Sequence, residues 1–208
     1  MSKDGHHKFY NLAYPNRKMI NLINIQQTFE NESFRDKKIN YKEFEDCIFK
    51  NCDFSNSNFS FNTFMDCEFA GCNLSNIKLW NSSLKTVVFT NCKLIGIEYN
   101  KCEDFLFSIS FQDCIIDFAT FNNKKMPKTT FESCSLKEAS FVGANLAQSV
   151  FANCNLENAT FNETILTAVD FSTAYNYKID PEFNPMKKAK FTNNGIAGLL
   201  NKYDIKIV

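Results

Sequence analysis

Residues 51–79 read NCDFSNSNFSFNTFMDCEFAGCNLSNIKL, with Phe or Leu at every fifth position: Phe54, Phe59, Phe64, Phe69, Leu74 and Leu79. In an α-helix five steps turn a side chain by roughly 140°, and in a strand they carry it to the opposite face. No straight element can bury all six. The chain must bend once per repeat, so that each bend returns the next Phe or Leu to a shared interior. That is a coil, and stacked coils make a solenoid.

The period runs well beyond this stretch. From Phe29 to Tyr99, stepping by five, all fifteen centres are apolar, and a second run of thirteen extends in register from Phe111 to Phe171. In the second run Phe alternates with Leu, Ile or Met, which stacks Phe on Phe only if each coil has an even number of sides. Five pairs of cysteines lie twenty residues apart, against one pair at fifteen and two at twenty-five. Four sides of five residues is the reading that satisfies both patterns.

Eight of the nine cysteines (Cys47, Cys52, Cys67, Cys72, Cys92, Cys114, Cys134 and Cys154) stand two residues before a centre, in a slot shared with Ala, Ser and Thr. They are expected to be buried packing residues, since stacked coils ~4.8 Å apart hold sulfurs beyond the S–S bond length of about 2.05 Å. No C-x-x-C or Cys/His spacing points to zinc, and no metal or cofactor is expected. Two residues after the centres stand Asn51, Asn56, Asp66, Gly71, Asn76, Asn81, Asn91, Asp113, Asn123, Gly143, Asn153 and Asn158. These residue types accept tight, left-handed turns, so they mark the corners.

The triplets Cys52-Asp53-Phe54, Cys72-Asn73-Leu74, Ala144-Asn145-Leu146 and Cys154-Asn155-Leu156 resemble the A(D/N)LXX motif of the pentapeptide-repeat proteins. The resemblance covers roughly residues 27–191. It implies an all-β solenoid, a right-handed quadrilateral β-helix, with residues 1–26 as N-terminal tail and cap and 192–208 as a C-terminal helix and dimerisation element.

The regular pattern breaks twice. Twelve residues rather than ten separate Tyr99 from Phe111, so a two-residue insertion is expected within 100–110; Phe105 and Phe107 lie in it, either repacked into the core or exposed. Lys124 falls in a small-residue slot. An unpaired ammonium there is too costly to bury, which predicts an irregular stretch over 122–128, a bulge with Pro127 at its turn. Near the end, Ile196, Leu199, Leu200 and Tyr203 fall at i, i+3, i+4 and i+7, predicting a short amphipathic helix capped by Asn193 or Asn194. Ile205 and Ile207, in the closing IKIV, suit a strand able to pair across a two-fold axis.

The length, the two registers and the ending GLLNKYDIKIV are similar to the Qnr-type quinolone-resistance proteins within this family. That resemblance implies a homodimer joined through its C-terminal ends. It also implies binding to DNA gyrase or topoisomerase IV as a mimic of duplex DNA, with protection against fluoroquinolones. A protein-interaction scaffold with a different partner is the alternative. The charge balance departs from a DNA mimic: 23 acidic and 23 basic side chains cancel, although residues 27–120 carry 14 acids against 9 bases. Glu43, Glu45, Asp46, Asp53, Asp66 and Glu68 are the candidate acidic contacts. Phe61 and Trp80 are candidate exposed aromatics on one side, and Lys124 and Lys125 are candidate basic contacts.

Other functions find little in the sequence. The histidines, His6 and His7, lie outside the repeats, and nothing assembles a nucleophile with a base, so no enzyme is expected. Lysine triplets at 124, 125 and 128 and at 187, 188 and 190 are a weak footprint for nucleic acid on a neutral protein. No apolar stretch reaches the ~18 residues of a membrane span, and a cytoplasmic protein is expected.

Overall fold

The computed structural model describes residues 23–206. The chain coils into a parallel β-solenoid with four faces, each contributing one repeat per coil. The first face carries β1 (Ile23–Ile25), β3 (Glu43–Glu45), β5 (Thr63–Met65) and β7 (Ser83–Lys85), hydrogen-bonded in that order. The second face carries β2 (Thr28–Glu30), β4 (Ile48–Lys50), β6 (Glu68–Ala70), β8 (Val87–Thr90), β9 (Ile109–Gln112), β10 (Thr130–Glu132) and β11 (Val150–Ala152). The third and fourth faces hold single-residue bridges, such as Asp53↔Asn73 and Asn58↔Lys78. Partners are twenty residues apart throughout the first run, for example Phe44↔Phe64 and Phe49↔Phe69.

The repeat centres fill the interior. Phe49 stacks on Phe69 with ring centroids 4.6 Å apart, and Phe131 stacks on Phe151 at the same distance. Neighbouring faces meet edge-on instead, as between Phe121 and Phe131 at 6.2 Å and 86°. Both geometries set the positive ring edge or an offset face against a neighbour's π-cloud. The nine cysteines are buried and free, and their thiols donate to interior carbonyls, Cys72 to Phe49 at 3.3 Å and Cys92 to Phe69 at 3.3 Å.

The corners take positive φ, including every Asn, Asp and Gly position predicted for them. Gly71 shows the reason for glycine there: a Cβ would lie 2.5 Å from Asn51 Oδ1 one coil below. Tyr41, Phe61, Leu106 and Phe118 also adopt this conformation, which side chains of their size disfavour. The coil-to-coil ladder holds two of them: Phe61 N–H donates to Trp80 O at 3.0 Å and Phe118 N–H to Lys137 O at 2.9 Å.

Four expectations need correction. The solenoid is already formed at Ile23, where β1 pairs with β3, rather than at 27; the tail expected over 1–26 lies, for residues 1–22, outside the described residues. The stretch 122–128 has no bulge: Lys125 bridges Asn145, Met126 is a buried centre, and Pro127 sits in an ordinary corner turn. Lys124 is buried rather than displaced, because it finds partners. The C-terminal element is a pair of 3-10 turns, Asn194–Leu199 and Asn201–Tyr203, not an amphipathic α-helix. Neither Asn193 nor Asn194 caps it through its side chain; Thr192 Oγ1 accepts from Gly195 N–H at 3.1 Å. Ile205 is exposed and outside any strand, and Ile207 lies outside the described residues.

The two breaks form one contact. Glu103 N–H still bonds Ser82 O, but Ser108 N–H bonds Leu84 O, so the extra residues lie in a turn at Asp104–Phe107; β8 and β9 then pair with a shift of 22. Phe107 turns inward and takes the place of the missing centre, whereas Phe105 stands outside, 72% exposed. In the next coil the Lys124 ammonium donates to Cys102 O at 2.5 Å, Glu103 O at 3.2 Å and Asp104 Oδ1 at 2.7 Å. It also lies 4.5 Å from the Phe107 ring centroid. Three acceptors and an aromatic face replace its water, so the charge is tolerated in the core.

The C-terminal turns close the last coil. Leu199 packs on the core, Ile179 N–H donates to Gly198 O at 3.1 Å, and a Cβ on Gly198 would lie 2.2 Å from Tyr177 O. Gly198→Ala is therefore expected to cost about 1–3 kcal/mol through overpacking against backbone. A thermal melt should show it, with far-UV circular dichroism at 25 °C unchanged because only the cap is strained.

Near this end the Asp170 carboxylate accepts from the Ser172 hydroxyl and backbone N–H and from Lys190 at 3.0 Å. These bonds, the Ser172 hydroxyl first, hold its pKa down at about 2. A depressed carboxyl contributes stability above its unfolded pKa of about 4 and loses it as pH falls through about 2. Urea midpoints of wild type and Asp170→Asn should differ at pH 7 and converge by pH 2.

Candidate interaction surface

The outward residues of the first face and the corner leading to the second form one continuous edge. On β3, Glu43 and Glu45 flank the buried Phe44 and point outward, and Asp46 occupies the corner that follows. One coil on, Asp66 takes the same corner and Glu68 opens β6 on the second face. Alternation along a strand dictates this: a buried centre leaves both its neighbours outside. Five carboxylates thus share two coils, and among the described residues none of them is in an ion pair. Asp53 is separate, on the third face, where it accepts from Ser55 N–H at 2.9 Å.

The edge then changes character. The Lys85 ammonium lies 5.6 Å from the exposed Phe105 ring, and Leu106 occupies the next corner, 63% exposed with φ 56°. Beyond them come Lys125 on the first face and Lys128 at the corner, both exposed. Lys124 does not belong to this surface, being 1% exposed. The edge therefore runs from acidic through apolar to basic, and its apolar tip is positioned by the buried lysine.

Phe61 and Trp80 lie on another side, at the fourth face and its following corner. Both are exposed, and Tyr41, which the sequence reading passed over, stacks on Phe61 with centroids 5.3 Å apart. The coil period of twenty was the signal that could have found it. The Trp80 indole donates to Glu98 Oε2 at 3.0 Å, which fixes the ring against the wall.

At the C-terminal end the candidate dimer residues divide. Leu199 packs on its own core, and Leu200 is half-buried. The Tyr203 hydroxyl bonds Glu182 at 3.1 Å, beside Lys202, which pairs with Asp180 at 3.0 Å and Glu182 at 2.7 Å. Ile196 and Ile205 remain as exposed apolar side chains.

Among the described residues no group of three or more His, Cys, Asp or Glu side chains could hold a metal ion, and no helix is long and apolar enough to cross a membrane.

Comparison with known proteins agrees with this architecture. A pentapeptide repeat region profile matches residues 42–121, and a pentapeptide repeats profile of eight copies matches 114–151 and 134–173. No curated protein matches the chain in sequence. The fold is similar to that of a trypsin-treated variant of QnrB1, a plasmid-mediated fluoroquinolone resistance protein, at TM-score 0.58 and 17% identity, covering 89% of this chain and 100% of that one. It is likewise similar to HetL of Nostoc sp. strain PCC 7120, a pentapeptide repeat protein involved in heterocyst differentiation regulation, at TM-score 0.58 and 13% identity, covering 81% and 84%. With these repeats matched along most of the coiled region and the centres stacked as the repeat requires, the chain belongs to the pentapeptide-repeat family.

Proposed function

We propose that the protein is a non-enzymatic binding module, that its working surface is the acidic-to-apolar edge, and that its partner is a type II topoisomerase, DNA gyrase or topoisomerase IV. The observation that carries this reading is the array of Glu43, Glu45, Asp46, Asp66 and Glu68, none of which is in an ion pair among the described residues. Carboxylates on a rigid wall at coil spacing present negative charge to a basic groove that otherwise receives phosphates. The structural likeness to QnrB1 supports the choice of partner. A supercoiling assay with ciprofloxacin tests it. The protein is expected to restore gyrase supercoiling, and Glu43→Lys with Asp66→Lys to abolish the effect; neither rescue nor inhibition at tens of micromolar protein contradicts the proposal.

The second reading, a scaffold with some other protein partner, is favoured by Tyr41, Phe61 and Trp80, a rigid aromatic group of the kind that anchors interfaces. Replacing all three by Ser should then remove binding while leaving the topoisomerase assay unaffected.

The module acts as a homodimer joined at its C-terminal end, with Ile196 and Ile205 in contact across the two-fold axis. Both are exposed in the single chain, so Ile196→Asp with Ile205→Asp should give a folded monomer by light scattering. A wild-type chain that is monomeric at high micromolar concentration contradicts this.

A further inference from the structure

Six cysteines, Cys52, Cys72, Cys92, Cys114, Cys134 and Cys154, occupy the same slot in six successive coils. The 92/114 step is hidden in the sequence by the two-residue insertion; the structure closes it, with Lys93 bridging Ile115 beside it. The sulfurs are stitched along the column: Cys52 N–H donates to Cys72 Sγ at 3.4 Å, Cys72 N–H to Cys92 Sγ at 3.4 Å and Cys92 N–H to Cys114 Sγ at 3.5 Å. All six are at most 2% exposed. A packing role alone would be met by Ala, as it is at Ala119, Ala139 and Ala144 in equivalent slots.

Coils repeat at ~4.8 Å. A thiolate–metal bond of ~2.3 Å on either side of an ion spans ~4.6 Å, so the coil spacing matches the sulfur separation of a linear S–M–S unit. The site lacks the four converging ligands that zinc requires, and thiolates select soft ions. Charge narrows the choice further. A divalent ion joined to two thiolates is neutral, whereas a monovalent ion between the same two leaves a buried negative charge with no counter-ion. We propose that this column is a binding site for soft, two-coordinate divalent cations of the Hg2+ class, each ion held by its own pair of neighbouring thiols, so that the six thiols take at most three ions.

Binding breaks two S–H bonds, forms two S–Hg bonds and releases two protons to water, with no change in oxidation state. Entry is placed at the middle of the column. Cys114 and Cys134 both line a groove along the Asp113, Ser133 and Asn153 corners. Cys102 is an internal contrast: it stands in a different slot below Lys124, and burial pushes its thiol up to about 12.

The test is a titration of the folded full-length chain with HgCl2. It is followed by thiolate-to-metal absorbance and by native mass spectrometry, with circular dichroism recorded throughout. The expected result is uptake by the folded chain with two protons lost per ion, less uptake by Cys114→Ala with Cys134→Ala, and unchanged uptake by Cys102→Ala. Uptake only as the dichroism signal collapses would overturn the proposal. So would undiminished uptake by the double variant, or equal uptake of Zn2+. If the double variant fails to fold, Cys52→Ala with Cys72→Ala at the far end carries the same comparison.

Discussion

Lys124→Ala should destabilise the protein by about 3–5 kcal/mol, a far larger loss than truncating an ordinary surface lysine. The substitution removes the side chain that fills the step between the inserted turn and the next coil. It also strips the Cys102 and Glu103 carbonyls of their donor. Lys124→Met separates the two effects. It keeps most of the volume but leaves the carbonyls unpaired, and about 1–3 kcal/mol is expected. Asp104→Asn should cost below about 1 kcal/mol, because the Asp104 carboxylate is 73% exposed and water screens it. Urea midpoints in the order Ala, Met, Asn, from most to least destabilised, identify the carbonyls and the packing as the tie. A loss at Asp104→Asn equal to that at Lys124→Ala would assign it to the ion pair instead.

Phe131→Ala is the second large effect, at about 3–5 kcal/mol. The ring is wholly buried and stacked on both sides, 5.1 Å from Phe111 and 4.6 Å from Phe151, so no neighbour can collapse into the gap without leaving its own stack. Phe34→Ala gives the contrast. Its ring is half-buried near the N-terminal end of the described coils, with one stacked partner, Phe54 at 4.8 Å, and a smaller loss is expected. Because each coil touches only its neighbours, the Phe131 variant should also broaden the unfolding transition, which calorimetry would resolve.

The periodicity made the coil legible because burial acts on every repeat: each centre that failed to face inward would expose an apolar side chain. Corner residues were legible only where Asn, Asp or Gly announced a left-handed turn. At Phe61 and Phe118 the ladder of hydrogen bonds imposes that conformation against local preference, and the sequence carries no local sign of it. The two breaks were visible separately, yet their union was not, because Lys124 meets Asp104 through the coil period of twenty rather than through chain proximity. Taking Lys124 for an outward basic contact followed from considering its charge without its partner. The C-terminal turns misled for a different reason. Their i, i+3, i+4 pattern suits an α-helix, but Gly195 and Gly198 let the backbone lie directly on Tyr177, and tight 3-10 turns follow from that close approach.

The acidic edge was partly legible. Five of the six candidate carboxylates converge on it, while Asp53, close in sequence, is carried to the third face by the bend at the corner. Phe105 and Leu106 join it only through the inserted turn. The binding claim rests on this edge, and hydrogen–deuterium exchange of the protein with and without gyrase tests it most directly. The account predicts added protection at residues 43–46, 66–68 and 104–107 and none at 41, 61 and 80. Protection confined to Tyr41, Phe61 and Trp80, or no protection at saturating gyrase, would contradict it.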